Sequence, residues 1–307
     1  MAGTRKTAAA VVLAALALTA TACNNNDDSK DAAPAAPTAP SSAAAANTPS
    51  AAATPTKVSP AVYLEQVTQK TSAAKSAKVT ESITMGQIDM KGAGAVSWAD
   101  GLQGEITMDM SGSPLGKVIA NITGSESAPY RFTKDGMFLK IGGKAVDALG
   151  GKHWMHYSQA DQAKVSGGAS DQLKSADPVE GVRTLIATGK VTEVGQETVA
   201  GKATTHYTGV LNSNDIAAAA GKGMTQDQLD QLKEKLATAG ITSETIDVWV
   251  DSDQLVVQRT EAGDTKAGAF KATVDYTDYG VAVTTTAPDP SDTVESSELQ
   301  KLAGGTS

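Results

Sequence analysis

Alternation of apolar and polar residues with a period of two constrains this chain more than any other feature of its sequence. Val79, Ile83 and Met85 alternate with lysine, threonine and serine, and residues 106–110 repeat the pattern. Because successive side chains of a strand point to opposite faces, these segments predict strands with one apolar face. Several such strands joined by short turns predict an antiparallel sheet that buries one face and leaves the other in water.

Turn signals divide these segments into roughly ten strands. Asp100-Gly101 and Ala200-Gly201 are typical of hairpin turns, and Asp251-Ser252-Asp253 predicts a hairpin turn more readily than a calcium loop. Residues 212–215 also predict a turn. The alternation of Val118, Ala120 and Ile122 predicts one further strand.

Capping signals predict helices that cover the apolar face. The side chains at these positions can accept hydrogen bonds from free N–H groups of a first helical turn. The predicted helices start at Ser59, at Asp177 and at Thr225, and a weaker helical segment covers residues 158–176. The expected fold is therefore α+β, with a large curved antiparallel sheet and helices packed on its concave apolar face.

Composition excludes several classes of function. The chain has one cysteine and three histidines, so a cysteine-based zinc site is ruled out and a histidine-rich metal centre is disfavoured. A net charge of −8 argues against electrostatic binding of nucleic acid. We expect no cofactor and no metal.

The N-terminal segment predicts export and lipid anchoring. Arg5 and Lys6 precede an apolar stretch, and small residues follow directly before Cys23, the single cysteine. This order resembles a bacterial lipobox, in which the thiol is diacylated after cleavage; an ordinary signal peptide is the alternative. Two acyl chains suffice for stable attachment at the extracytoplasmic face of the cell membrane.

The expected boundaries follow from composition. Residues 1–22 are the signal peptide, and residues 23–58 are the lipidated cysteine with a disordered tether rich in Ala, Pro, Ser and Thr. Residues 59–292 form one domain, expected to be a monomer. Residues 293–307 form a flexible tail.

Two short patterns raise the hypothesis of a cell-wall hydrolase. Ser72 and Lys75 match the SxxK of penicillin-binding enzymes, but no KTG accompanies them. His153 and His156 could be metal ligands on a helix, although in a strand they would face opposite sides. The favoured interpretation of both patterns is chance, and we expect no enzymatic activity and no catalytic residues.

The apolar sheet face allows two interpretations. Met85, Met108, Met110 and Met137 lie among Ile and Val, and methionine adapts to irregular ligands as well as to irregular cores. Aromatic residues make up only 4% of the chain, so the face is aliphatic. It could be a filled core or the lining of a cavity.

Two segments resemble a family of actinobacterial lipoproteins, the LppX/LprG-type lipid carriers with a LolA-like fold. Residues 195–201, GQETVAG, followed by Thr204-Thr205-His206-Tyr207, are similar to a hairpin of that family. Residues 247–251, 275–280 and 286–288 are similar to its closing strands.

This resemblance implies a half-barrel sheet closed by helices over an apolar cavity that binds acyl chains of a lipid or glycolipid and carries them in the cell envelope. The residues expected to line the cavity are Val79, Ile83, Met85, Met108, Met110, Met137 and Leu139. The alternative is a sensor or interaction module with the same fold, a filled core and an envelope protein as its partner.

Overall fold

The computed structural model describes residues 58–159, 161, 176–220, 225–284 and 286–298, with the backbone alone at residues 218–220 and 228. Cys23, the signal peptide, nearly all of the tether and most of the weak helical segment lie outside these residues, so those expectations stay predictions.

The described residues form a 12-stranded sheet. Its strands are β1 (Ser76–Met85), β2 (Ile88–Ser97), β3 (Gln103–Asp109), β4 (Ser127–Thr133), β5 (Gly136–Lys140), β6 (Trp154–Ser158), β7 (Thr192–Val199), β8 (Lys202–Asn212), β9 (Ser243–Asp251), β10 (Val256–Thr265), β11 (Gly268–Thr277) and β12 (Thr293–Glu295).

The strand order is β12-β6-β5-β4-β3-β2-β1-β11-β10-β9-β8-β7. Two antiparallel meanders, β1 to β6 and β7 to β11, are joined by the antiparallel pairing of β1 with β11. Only β12 pairs in parallel, beside β6. The predicted α+β architecture with a large, open, mainly antiparallel sheet is confirmed.

The register separates an inner apolar face from an outer polar face. Val79 pairs with Tyr276 on one side and with Gly94 on the other, and Gly94 pairs in turn with Ile106. All of these residues belong to the row that continues through Tyr130. The helices cover this inner face.

The helices are α1 (Pro60–Ala74), α2 (Pro114–Thr123), α3 (Lys144–Ala148), α4 (Glu180–Thr188), α5 (Ser213–Ala220) and α6 (Gln226–Ala239). The Ser59 side chain caps α1, as predicted, by accepting a hydrogen bond from the Val62 N–H. The Thr225 carbonyl accepts from the Leu229 N–H at the start of α6, and Gly240 with φ +76° ends that helix.

Close approaches of α1 and α4 to the sheet depend on particular residues. The Tyr63 ring of α1 stacks on Tyr207 of β8, with 5.7 Å between the ring centroids. A Cβ at Gly209 of β8 would lie 2.5 Å from Leu185 of α4, so only glycine allows this approach. α1 and α4 also contact each other.

The strand expected over Val118, Ala120 and Ile122 is wrong, because these residues lie in α2. Ser113 caps this helix and Pro114 occupies its first turn, where a missing N–H costs nothing. Gly124, with φ +77°, ends it. The local capping signals outweigh the alternation, which three residues can satisfy by accident.

Three further expectations differ from the structure. Asp177 does not cap α4, because its carboxylate accepts from the Val179 N–H and the helix begins only at Glu180. Residues 212–215 do not form a simple turn, because the Asn212 side chain accepts hydrogen bonds from the Asn214 and Asp215 N–H groups at the start of α5. The tail expected to be flexible from residue 293 begins instead with β12, and residues 296–298 are helical.

Gly94→Ala tests the close approach of β2 to β3. A Cβ at Gly94 would lie 2.0 Å from the Glu105 carbonyl oxygen. Because the obstacle is backbone, we expect the free energy of unfolding to fall by about 1–3 kcal/mol in urea denaturation. Ala93→Ser, an exposed position on the same strand, should change it by less than about 0.5 kcal/mol, and equal stability of the two variants would contradict the register described here.

Candidate functional site

The residues expected to line a cavity lie on or beside the inner face. Six of them are buried in the hydrophobic core, namely Val79, Ile83, Met108, Met110, Met137 and Leu139, and Met85 is half-buried at the end of β1. Their role as ligand contacts stays a prediction. Two of them lie directly beside a pocket, since Leu139 pairs with Met155 and Met137 pairs with Tyr157.

A pocket of about 310 Å³ lies between α2, α3 and the inner face of β6. Its walls are uncharged and mostly apolar, and consist of Asn121, Ile122, Ala145, Ala148, Leu149, Met155, Tyr157 and Ser296. Burial raises the pKa of the Tyr157 hydroxyl, so this group is neutral at neutral pH. Its volume is at the lower end of the range of ligand sites, and its lining suits an apolar group with few polar atoms.

A C-terminal strap, residues 289–298, borders this pocket. β12 pairs with β6 inside the strap, and Ser296 is one of the pocket residues. The Lys152 ammonium donates to the Thr293 carbonyl at 2.6 Å. The strap therefore protects the edge of β6 and forms part of the pocket wall at the same time.

Both histidines of the proposed metal pair hold the strap instead. The Nδ1 atom of His153 lies 2.7 Å from an Asp292 oxygen, and this hydrogen bond lowers the pKa of Asp292. The Nδ1 atom of His156 lies 2.9 Å from both Glu295 oxygens. Within the ranges that the structure describes, no group of three or more His, Cys, Asp or Glu residues could hold a metal ion.

The SxxK pair lies at the end of α1. Lys75 is exposed and adopts φ +66°, and its N–H donates to the Ser72 carbonyl as the helix ends. The position of the pair is explained by helix termination. The Ser72 carbonyl also accepts a hydrogen bond from the Trp98 indole, so the pair lies beside the end of β2.

The third histidine belongs to the outer face. The ring nitrogens of His206 lie 2.8 Å from Glu197 and 2.8 Å from Asp247, and its ring stacks on Trp249. Hydrogen bonds from the Trp249 indole and from His206 lower the pKa of Glu197. This cluster ties β7, β8 and β9 together at the surface.

A buried charged cluster occupies the other half of the inner face. Arg259 of β10 is only 2% exposed, and its guanidinium lies 2.5 Å from the Glu261 carboxylate. Val274 separates Arg259 from Glu81 in the same row of the sheet, and Glu81 is also 2% exposed. Burial opposes the charge of Arg259, but Glu261 and Tyr276 raise its pKa overall, so the guanidinium stays charged.

Helix α4 closes directly over this cluster. A Cβ at Gly181 would lie 2.6 Å from the Cδ atom of Arg259 and 3.2 Å from Ile246. Asp177, just before α4, adds a further negative charge that acts on Arg259. α4 thus packs closely on Arg259 and Ile246, whereas the pocket of about 310 Å³ lies under α2 and α3.

Glu244 has the most unusual acidity in the cluster. Glu244 of β9 pairs with Gly263 of β10. Gly263 lies two residues after Glu261, which pairs with Ile246 of β9. Burial and then the Glu261 charge raise the pKa of Glu244 to about 8, although Arg259 opposes this. This environment therefore favours the protonated form of Glu244 relative to an exposed glutamate.

Neither these charged residues nor the pocket was predicted from the sequence. Glu81 lies between Val79 and Ile83 at a spacing of two residues, so its side chain points to the same face as theirs. A charged residue at such a position was the available sign of a buried charge. Arg259 and Glu261 show the same phase in β10. The pocket residues of α2 were hidden by the incorrect strand prediction.

A second pocket of about 410 Å³ lies between α5 and α6. It is lined by Ser213, Asn214, Lys233, Leu236, Ala237, Gly240, Ile241 and Thr242. The lysine and the hydroxyl and amide groups make this lining less suitable for an acyl chain than the uncharged pocket under α2 and α3.

Comparison with known proteins identifies relatives in Streptomyces. An uncharacterized 31.2 kDa protein from the rplA–rplJ intergenic region of Streptomyces griseus is 41% identical over 257 residues, which cover 81% of this chain and 83% of the relative. SCO4650 of Streptomyces coelicolor, a lipoprotein by prediction, is 29% identical over 306 residues and 98% of each chain. No protein-family model matches the sequence.

Among solved structures, lipoprotein LppX of Mycobacterium tuberculosis aligns with 74% of this chain and 100% of its own, with 14% identity and a TM-score of 0.42. LprF of Mycobacterium bovis aligns with 73% of this chain and 96% of its own, with 16% identity and a TM-score of 0.36.

Helix lengths and hydropathy bear on membrane insertion. Across the residues with described structure, no helix is both long enough and apolar enough to cross a membrane.

Arg259→Met tests the buried ion pair. The substitution leaves the Glu261 carboxylate buried without its guanidinium, so we expect the free energy of unfolding in urea to fall by about 3–5 kcal/mol. The double variant Arg259→Met/Glu261→Gln should recover part of this loss, because it removes the stranded charge. Gln258→Met, which breaks one hydrogen bond to Asp275, should cost only about 1 kcal/mol. A stable single Arg259 variant would contradict the ion pair.

Glu244→Gln tests the raised pKa. Between about pH 4.5 and pH 8 the folded protein keeps a proton that the unfolded chain loses, so rising pH lowers the free energy of unfolding, by at most about 1.4 kcal/mol per pH unit. Calorimetry from pH 5 to pH 8 should show a shallower decline of Tm for Glu244→Gln. Asp109→Asn should leave the decline unchanged, because hydrogen bonds from Ser111 lower the pKa of Asp109. An unchanged slope in Glu244→Gln would exclude the assignment.

Proposed function

We propose a lipid-binding role for this chain, which belongs to the family of the 31.2 kDa Streptomyces griseus protein. In this proposal the protein is attached through acylated Cys23 to the extracytoplasmic face of the cell membrane. It binds acyl chains of a lipid or glycolipid on the inner face of its sheet and carries or presents them in the cell envelope. It acts without catalysis.

The uncharged pocket under α2 and α3 is the observation that carries this proposal. Its apolar walls come from Ile122, Ala145, Leu149 and Met155. Water binds weakly in an apolar cavity of this kind, because few polar atoms of the lining can form hydrogen bonds with it. The cavity therefore favours apolar ligands. An acyl chain satisfies this requirement at every carbon.

The polar atoms of the lining favour an amphiphile over a pure hydrocarbon. Asn121, Tyr157 and Ser296 supply amide and hydroxyl groups without a formal charge. Such groups orient a ligand through hydrogen bonds while the hydrocarbon supplies most of the binding free energy. A lipid with an ester or glycosyl group near its acyl chain fits this combination.

The attachment site supports the same role. Residues 24–57 separate Cys23 from the first described residue and are rich in Ala, Pro, Ser and Thr. A coil of about 35 residues has a reach on the order of 30–35 Å, which keeps the pocket within range of the membrane. A carrier held in this way meets its ligand at high local concentration.

Ala148→Trp tests the pocket. Ala148 is exposed at the end of α3 and also lines the pocket, so an indole there should block the entrance with little effect on folding. We expect the affinity for a fluorescent fatty acid to fall by at least about tenfold, which corresponds to the loss of roughly two buried methylene groups.

Ala73→Trp is the matched control, since Ala73 is an exposed alanine in the last turn of α1. It should bind the probe as the wild type does. Native mass spectrometry of the wild type with envelope lipid extract should show a bound lipid. If neither the fatty acid nor any extracted lipid binds, the proposal is wrong and the alternative of a filled interaction module gains support.

A further inference from the structure

Helix α2 exposes large apolar side chains on a helix that also forms a pocket wall. Leu115 is 42% exposed and Val118 is 57% exposed, although both are aliphatic. Spacings of three and four residues place Leu115, Val118 and Ile122 on one helical face. Ile122 lines the pocket, so a continuous apolar stripe runs from the solvent to the pocket wall.

The stripe is positioned as a docking surface at the pocket. Its neighbour Ala148 is exposed and lines the same pocket from α3. Lys117, which lies between the two exposed aliphatic residues, is the one charged residue in the sequence of α2. Lys117 lies about 100° around the helix from Val118, so it flanks the exposed face and not the stripe itself. An exposed apolar stripe on a helix whose one charged residue is a lysine matches the interfacial region of a bilayer, where acyl chains and anionic headgroups meet.

The N-terminal segment with its proposed anchor at Cys23 favours the membrane as the surface that contacts this stripe. The sequence between Cys23 and Val58 is about 35 residues long, and a coil of this length has a reach on the order of 30–35 Å. A domain tethered at that distance encounters the membrane continually, whereas a soluble partner must diffuse to it. The bilayer is therefore the occupant that the tether favours.

We infer that the exposed face of α2, centred on Leu115 and Val118, docks on the surface of a lipid bilayer and opens the pocket toward it. This inference rests on the proposed lipid-binding function and specifies where the ligand enters. Insertion of the two side chains would place Ile122 and the pocket at the level of the acyl chains. Lys117 would contact the phosphate groups above them.

Vesicle binding of the chain from residue 23 onward, with Cys23→Ser to remove the anchor, tests this surface. The vesicles contain phosphatidylethanolamine with a minor fraction of phosphatidylglycerol. Leu115→Gln/Val118→Gln should lower the partition coefficient in co-sedimentation by about tenfold, because two partly exposed aliphatic groups no longer enter the bilayer. Val194→Gln/Val210→Gln, which removes two valines of similar exposure from β7 and β8, should leave it unchanged.

A second measurement does not depend on polar substitutions in α2. Cys23 is the only cysteine of the chain, so the Cys23→Ser background allows a single label at Val118→Cys. An environment-sensitive fluorophore there should brighten and shift to the blue on addition of vesicles. The same label at Val210→Cys should not respond.

The results separate the docking surface from the proposed function. Equal vesicle binding by the α2 double variant and the wild type, or a silent label at residue 118, overturns the docking surface even if Ala148→Trp still abolishes fatty-acid binding. Docking through α2 without any fatty-acid binding supports the surface and overturns the function. A dimer in sedimentation that the α2 substitutions dissociate would show that a second copy covers the stripe and would overturn the inference.

Discussion

The apolar face of this twelve-stranded sheet must be shielded from water, and the way in which the helices cover it determines where the molecule is tightly packed and where it has a pocket. The open sheet has two edges, β7 and β12, so it does not close on itself to hide that face. The helices cover it unevenly. α1 and α4 pack tightly on β8 to β10, where glycines permit close approach, whereas α2 and α3 bridge the opposite half and leave a pocket of about 310 Å³.

The half of the inner face under α4 contains buried charged residues among the apolar ones. Arg259 and Glu261 form an ion pair beneath α4. Glu81 lies in the same row of the sheet as Arg259, and Glu244 pairs with Gly263, two residues after Glu261. A buried ion pair adds little net stability but strongly penalises any packing that separates its members. The cluster therefore constrains how α4 is placed on the sheet. The raised pKa of Glu244 is a consequence of the same confinement.

Local signals were sufficient for much of the fold. The hairpin predicted around Ala200-Gly201 forms, and the Ser59 cap begins α1. The prediction failed where two periods fit the same residues. Val118, Ala120 and Ile122 alternate, but they also satisfy a helix, and the cap at Ser113 with Gly124 at the end decides in favour of the helix. Capping residues provide partners for the unpaired backbone N–H and C=O groups at the helix ends, and an alternating pattern provides none.

By itself the sequence determined the one-sided strands, most of the turns and the apolar character of the inner face, because these depend on neighbours along the chain. Only the tertiary structure decided which part of that face is hollow. The pairing of β1 with β11 joins residues nearly two hundred positions apart, and it brings Glu81 into the row of Arg259. The strap likewise brings Ser296 to Met155, whereas Val79 and Met108 are buried in the core. A cavity is the space left between elements, so its position depends on long-range packing that no local pattern records.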